Sequence, residues 1–449
     1  MSEVTLTALR ASLEGTIPSE IATCDADGIP NVSVISDVHY VDAEHVAISY
    51  QFFSKTRANI LVNPRATVLL KHPQTCAQHR LHLHYLRTES EGGLFEAMKA
   101  KLAGIASHEG MAGVFRLLGA DVYKVIRIDT VRPDQLPAPN PRTPLLASLR
   151  QTLARLAAAR DLDSLIACLM EQLATEFQMP HVMLLMADAG GERLYTVASH
   201  GYPESGVGAE ILPGQGVIGV AARERTPIRI AHATRDYLYG RAIRDALRAS
   251  PLAHRLETEI PLPGLGNSAS QIALPLLRED RLLGILYAES PEEGRFGYDE
   301  EDALAILAGH LAEAICRLSG ETEESAPPAG TEQPLDSGAP LVVRHYAADD
   351  SVFVDDEYVI KGVAGSILWL LLGEYAKGGR TEFSNKELRL SPQIRLPEFS
   401  ENLEARLILL RKRLAERCRQ IGLDKAGRGR VRLVLARPVQ LIEAEAEPA

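Results

Sequence analysis

Ser54, Lys55, Thr56 and Arg57 put two hydroxyls and two cations on consecutive positions, directly after the apolar, aromatic run "AISYQFF". A strand that passes straight into a helix leaves free N–H groups at the helix start. Hydroxyl donors and a lysine at that point make a seat for a phosphate. The same residues also fit an ordinary solvated first helical turn, and spacing alone does not separate the two. A second cluster joins Cys76, His79, His82 and His84. His82 and His84 share one strand face, but the set lacks the tight paired spacing of a structural zinc site. Alternating histidines on a strand are the usual half-exposed face, so no metal is assigned. The third cluster is cationic: Arg406, Arg411, Lys412, Arg413, Arg417 and Arg419, then Arg428, Arg430 and Arg432, in a chain of net charge −11. Such a concentration is a footprint for nucleic-acid phosphates. No paired acid/base carboxylates, nucleophile elbow or metalloprotease motif occurs, and no catalytic residue is assigned.

The elements that must hold these clusters fall into three domains. The 449 residues, 46% hydrophobic and 24% charged, have the composition of an ordinary globular protein. "VRPDQLPAPNPRTP", residues 131–144, is too proline-rich for a regular element, and the acidic, proline-rich residues 320–340 read as a flexible linker. The domains expected are therefore residues 1–135, 143–319 and 341–445. The first is mostly strand, with turns at "DADG" and "VDAEH" and short helices at "TRANILVN" and "GLFEAMKAKLAG", which suggests a small barrel. The second opens with two helices, the latter capped by Asp161 or Asp163, and continues through five strands to a long amphipathic helix, an α+β arrangement. The third mixes strands with the helices "GSILWLLLGEYAKG" and "SENLEARLILLRKRLAERCRQ" and ends in a β-pair. Leu403, Leu407, Leu410 and Leu414 recur at helical spacing and should face a core, leaving Ile408 and Leu409 as an apolar outer face. Five scattered cysteines without C-x-x-C point to free thiols in a reducing cytoplasm. The longest apolar run, "SILWLLLGEYA", is too short to span a membrane, and the first residues lack a secretory pattern. A cytoplasmic protein with no membrane partner is expected.

"DGIPNVSVI", "VAISYQFFSKTRANILVNPRATVLL" and "RLHLHYLRTE" resemble the FMN-binding split β-barrel of the pyridoxamine-phosphate-oxidase-like superfamily. The resemblance implies that Ser54, Lys55 and Thr56 cradle the flavin phosphate, and Asn59 is counted among the cofactor-binding residues. It places Ser33 and Val34, and Ser49, Tyr50 and Gln51, along the isoalloxazine ring, and it implies a homodimer with flavin at the interface. The basic residues that true oxidases carry on the strand "VSVISDV" are missing, so FMN, another flavin or a deazaflavin is expected rather than oxidation of a vitamin. "LPGQGVIGVAARERTPIRIAHATRD" and "SQIALPLLREDRLLGILYAESPEEGRFGYDEEDALAILAGHLAEAI" resemble a GAF domain, which implies sensing of a small molecule that the sequence does not identify. Gly214, Gly216 and Gly219 there suit turns and close packing; they lack the context of a dinucleotide fingerprint. The insertion 237–259 fits either a pocket cover or a surface helix. "SENLEARLILLRKRL" with "DKAGRGRVRLVLARPVQL" resembles the recognition helix and wing of response-regulator output domains. That winged helix implies binding of double-stranded DNA through Arg406, Arg411, Lys412, Arg413, Arg417, Arg428, Arg430 and Arg432.

The fold class expected is thus multidomain α+β: split barrel, GAF domain, winged helix. The function expected is a cytoplasmic ligand-sensing regulator that binds DNA. Two alternatives stand beside it: an FMN-dependent oxidoreductase with regulatory C-terminal domains, and a sensor whose last domain docks a protein.

Overall fold

The computed structural model describes residues 4–13, 17–35, 38–50, 55–108, 117–136, 144–188, 190–231, 262–320, 339–394, 403–427 and 429–444. Gln51, Ser54, Arg428, the insertion 237–259 and most of the expected linker lie outside the described residues.

The first domain is one antiparallel sheet built from β1 (Ser19–Cys24), β2 (Pro30–Ile35), β3 (His39–Tyr40), β4 (His45–Tyr50), β5 (Arg65–Lys71), β6 (Gln78–Glu89) and β7 (Gly119–Arg132), with helices α1 (Arg10–Leu13), α2 (Lys55–Val62) and α3 (Gly93–His108). The "DADG" turn joins β1 to β2: Asp25 Oδ1 accepts from the Ile29 and Asp27 amides, and Gly28 supplies φ +79°. Alternation on β5 buries Ala66, Val68 and Leu70 in a core with Ile21, Val46, Leu81 and Tyr123. The strand order is β2-β1-β5-β6-β7-β4-β3. Among the described residues β2 and β3 do not pair, so no closed barrel is seen where a small split barrel was expected. Register shifts between β6 and β7 curve the sheet, while β3, two residues long, offers little edge for closure.

The central domain carries a six-stranded antiparallel sheet, order β10-β9-β8-β13-β12-β11. Its strands are β8 (His181–Ala187), β9 (Leu194–His200), β10 (Glu210–Ile211), β11 (Ile228–Ile230), β12 (Ser270–Arg278) and β13 (Arg281–Ser290). Helices α4 (Leu145–Ala157), α5 (Leu162–Thr175) and α7 (Tyr298–Gly320) cover one face, burying Leu165, Leu169, Leu307 and Leu311 against Leu184 and Leu286. The opposite face meets α6 (Gly216–Glu224) through Ile218, Met183, Ile285 and Tyr287. Asp161 is the cap of α5, and its carboxylate accepts from the Ser164 amide in a full capping box. Gly214 has φ +90°, and a Cβ on Gly219 would stand 2.4 Å from the Leu212 carbonyl oxygen. The first domain is fixed to this one: α3 buries Ala100 in the α6 core, and Arg10 pairs with Asp302 at 3.0 Å while lying over the Tyr298 ring.

The last domain has two sheets: β16-β15-β14-β20, in which β14 and β20 run parallel, and β17-β19-β18. The strands are β14 (Leu341–Tyr346), β15 (Ser351–Val354), β16 (Glu357–Ile360), β17 (Glu382–Ser384), β18 (Ile421–Lys425), β19 (Arg430–Leu435) and β20 (Val439–Ala444). Between them lie α8 (Gly362–Gly378), α9 (Asn385–Leu390) and α10 (Leu403–Arg417). One apolar core runs from α4, α5 and α7 through α10 into this domain. Leu403, Leu407, Leu410 and Leu414 are buried as their spacing requires, but so are Ile408 and Leu409, at 6% and 2% exposure. The expected apolar outer face is a correction: α10 is enclosed on both sides, by its own sheets and by the central domain. Among the described residues no helix is long and apolar enough to cross a membrane.

Candidate functional site

At the β4–α2 junction the structure gathers a small polar group. Pairing of β1 with β2 and the packing of α2 bring Thr56 Oγ1 2.8 Å from Ser33 Oγ, and Asn31 Nδ2 donates to Thr56 Oγ1 at 3.0 Å. Lys55 begins the helix and is exposed. Asn31 was not singled out, although it lies two residues before Ser33 and so on the same strand face. Two expected members point elsewhere. Asn59 is buried and donates to Thr23 Oγ1 at 3.1 Å, a packing role. Val34 alternates to the other face of β2 and is 72% exposed. Ser49 is half-buried on β4, near the far end of the strand order. Arg57 is ion-paired with Asp121, which also accepts from Thr88 Oγ1 at 2.6 Å, so this cation is already neutralised.

The histidine cluster is divided by strand alternation. His79 faces inward with Leu81 and Leu83, and burial holds its imidazole below the usual histidine range. His82 faces outward, 2.8 Å from Asp129. Among the described residues no group of side chains is arranged to hold a metal ion.

In the central domain, the sheet face turned away from the long helices carries a buried acid. Glu289 on β13 is 3% exposed, with Tyr287 two residues before it and Gln271 opposite it on β12. Glu289 Oε1 accepts from the Leu265 amide at 3.0 Å. Burial pushes its carboxyl above the ordinary glutamate value, partly offset by hydrogen bonds from Ser268 and Leu265. Burial and the Glu289 charge likewise push the Tyr202 hydroxyl upward. An enclosed carboxyl of this kind suits a ligand that brings an N–H donor or a cation. Sequence reading missed it because an isolated glutamate near a strand end has no periodic signature.

The basic helix stands in the seam between the central and last domains. Arg411 reaches Asp163 Oδ1 at 2.5 Å, and Lys425 reaches Asp161 Oδ2 at 2.5 Å. Lys412 Nζ donates to the Val197 carbonyl at 3.2 Å, and burial lowers its ammonium below the usual lysine value. The Arg406 guanidinium lies 3.5 Å from the Tyr195 ring centroid, a desolvated cation–π contact. Arg413 is buried and donates from Nε to the Val359 carbonyl at 2.9 Å, inside its own domain. Arg432 is paired with Glu382 at 2.6 Å. Arg417 is exposed, beside a cleft of about 400 Å³ between α10 and the loop 199–206. Arg430 lines a second, smaller cavity in the seam. Five of the cations expected to form one solvent-facing footprint, Arg406, Arg411, Lys412, Arg413 and Arg432, are thus held by contacts within the chain. The signal that the sequence did offer was the apolar character of Ile408 and Leu409, which fits a helix with a protein surface on its outer side.

With this geometry in view, residues 161–315 match the GAF domain family. No curated protein matches the sequence. Among solved structures, the GAF domain of an Acinetobacter phosphoenolpyruvate-protein phosphotransferase is 18% identical, covering 40% of this chain and 97% of that one, with a TM-score of 0.31. A free methionine-R-sulfoxide reductase from Neisseria meningitidis is 20% identical over 39% of this chain and 89% of its own, TM-score 0.30. An FMN-binding protein from Syntrophomonas wolfei is 19% identical over 28% of this chain and 84% of its own, TM-score 0.24.

Proposed function

We propose that the GAF domain formed by residues 161–315 senses a small ligand and governs the basic C-terminal domain docked on it, which acts as a DNA-binding winged helix when released. The observation that carries this reading is the seam. Asp161 and Asp163, at the start of α5, meet Lys425 and Arg411, cations that a DNA phosphate would otherwise meet. A carboxylate and a phosphate compete for the same guanidinium and ammonium geometry. Docked, the domain holds Arg406, Arg411, Lys412 and Lys425 on groups of the GAF domain; undocked, it frees these four. Glu289 and its neighbours are the groups we assign to ligand capture in the GAF domain. The test is DNA binding by the full chain, wild type beside the double variant Asp161→Asn, Asp163→Asn. Tighter binding by the variant supports the reading. Equal, negligible binding by both leaves the alternative in which the last domain serves only to dock on protein.

The first domain is proposed to bind FMN, its phosphate at Lys55 and Thr56 with Ser33 and Asn31 beside them, and to pair with a second copy. Support for the pairing comes from Val32 and Val34 on the edge strand β2, 66% and 72% exposed, which a partner would cover. The visible spectrum of the purified protein, with mass spectrometry of any released ligand, tests the flavin; light scattering tests the dimer.

A further inference from the structure

The cleft of about 400 Å³ between the end of α10 and the GAF loop 199–206 has none of the roles above assigned to it. Arg413, Glu416 and Arg417 line it from the helix, and His200, Glu204 and Ser205 from the loop. The loop wall has a fixed course. Ser199 Oγ donates to the Ser205 carbonyl, and Gly201 has φ +86°, where a Cβ would overlap the Pro180 carbonyl oxygen. The unusual member is Arg413, which is 5% exposed and still lines the cleft. Its Nε donates to the Val359 carbonyl and so fixes the guanidinium plane. Its Nη atoms have no hydrogen-bond acceptor among the described residues, and Glu416 Oε2 stands 4.0 Å from Nη1. Burial lowers this guanidinium below the usual arginine value and Arg417 adds to the effect, while Glu416, Tyr358 and Glu204 offset only part of it. A buried charge is nearly always paired and hydrogen-bonded, and this one lacks a bonded anion. Arg417 and Glu204 are exposed and make no ion pair among the described residues; Glu416 accepts from Ser205 Oγ at 2.9 Å. Two cations and two carboxylates thus line one space with no hydrogen bond between them. A phosphate dianion would gain two guanidiniums but meet two carboxylates. A zwitterion finds a partner for each of its ends.

We propose that this cleft binds a free α-amino acid, its carboxylate on the Nη atoms of Arg413 with Arg417 beside them, and its ammonium on Glu416 and Glu204. The gap between the Arg413 guanidinium and the Glu416 carboxylate is one that adjacent charges of a single small molecule can bridge. Size agrees: a cavity of about 150 Å³ accepts benzene, so this cleft has room for about 16 non-hydrogen atoms, and no proteinogenic amino acid is larger. The helix belongs to the C-terminal domain and the loop to the GAF domain, so the site is whole only when the two are docked. A ligand that binds only the docked form stabilises it. That consequence rests on the docked-output reading above; the binding itself does not.

The test is calorimetric titration of the full chain with each of the proteinogenic amino acids. For any that binds, the amine lacking its carboxylate and the acid lacking its ammonium are titrated beside it. At least one amino acid should bind with a Kd of about 1 mM or tighter, and both truncated analogues should lose about tenfold or more in affinity. Arg413→Gln should abolish binding. Arg417→Gln and Glu416→Gln, at exposed positions, should each weaken it about fivefold or more, and they decide the matter if the buried variant does not fold. Hydrogen exchange in residues 403–417 should slow on binding. Absence of any binding tighter than about 1 mM overturns the site, and so does an affinity that either exposed substitution leaves unchanged. Binding that is lost in Glu289→Gln but kept in these two variants puts the amino acid on the GAF sheet and overturns the cleft. Binding that weakens in both variants yet leaves exchange in residues 403–417 unchanged upholds the site and overturns its control of docking.

Discussion

A buried acid and a half-buried lysine on either side of the GAF sheet set the energetics at the residue scale. Glu289 holds its proton more tightly in the folded chain than in the unfolded one, because burial penalises the carboxylate. Folded-state stability therefore declines as pH rises from the ordinary glutamate range through the raised folded value. Glu289→Gln removes the titration and keeps the shape. Urea unfolding at about pH 4.5 and about pH 7.5 should show the variant gaining on wild type at the higher pH; a difference that is flat with pH would remove Glu289 as a buried acid. Lys412 presents the opposite charge in the seam, with a backbone carbonyl as its hydrogen-bond partner. A desolvated ammonium is costly, and its exchange for a hydrocarbon of similar length is often neutral or stabilising. Lys412→Met should therefore tighten docking, seen as slower hydrogen exchange across α10.

The start of α5 does two jobs at the scale of the element. Asp161 caps the helix and also holds Lys425, and two substitutions separate these roles. Asparagine caps as well as aspartate does, so Asp161→Asn should lose only a half-exposed ion pair, about 0–1 kcal/mol. Asp161→Ala should lose about 0.5–2 kcal/mol more, from the cap. The Asp161 carboxyl lies below the ordinary aspartate value: burial raises it, but the Lys425 and Ser164 hydrogen bonds together outweigh burial. Its contribution is thus present above the ordinary value and lost as pH falls through the lower folded one. Acid should loosen α10 in wild type more than in Asp161→Asn, read by hydrogen exchange of the intact protein. The turn into α6 makes a different demand. Gly219→Ala would drive a methyl into the Leu212 carbonyl and should cost about 1–3 kcal/mol, measurable as a lower midpoint in urea.

For the whole molecule, one continuous core from the GAF helices into the C-terminal domain makes docking a matter of packing as well as charge. Ion pairs at the rim then choose the register of α10, and the buried leucines supply the area. Salt and substitution should separate the two contributions. If the released domain neutralises about five phosphates, log affinity for DNA should fall against log salt with a slope of roughly −4 to −5. The double variant Asp161→Asn, Asp163→Asn should bind more tightly at every salt concentration while keeping that slope, because the DNA contacts are unchanged. A slope near zero would remove the nucleic-acid reading.

Much of this organisation is legible in the chain itself. The GAF segment is legible through local features: an acidic cap at Asp161 or Asp163, which the structure assigns to Asp161, the turn glycine Gly214 before α6, and the apolar strands β12 and β13, buried along most of their length. The helix Leu403–Arg417 and its leucine stripe follow from periodicity, since 3.6 residues per turn decides which side chains meet a core. What periodicity cannot say is what lies on a helix's other side. Ile408 and Leu409 read as an apolar outer face, and only the tertiary structure shows a second domain against them. The cations tell the same story: a run of arginines fixes charge density, but Arg411 and Lys425 acquire partners about 250 residues away in sequence. Strand propensity gave the sheet of the first domain, yet closure depends on whether two distant edges meet, and among the described residues β2 and β3 do not. Glu289 is the extreme case. Its residue type is legible in the sequence, and its burial, its raised proton affinity and its place on the GAF sheet come entirely from what folds around it.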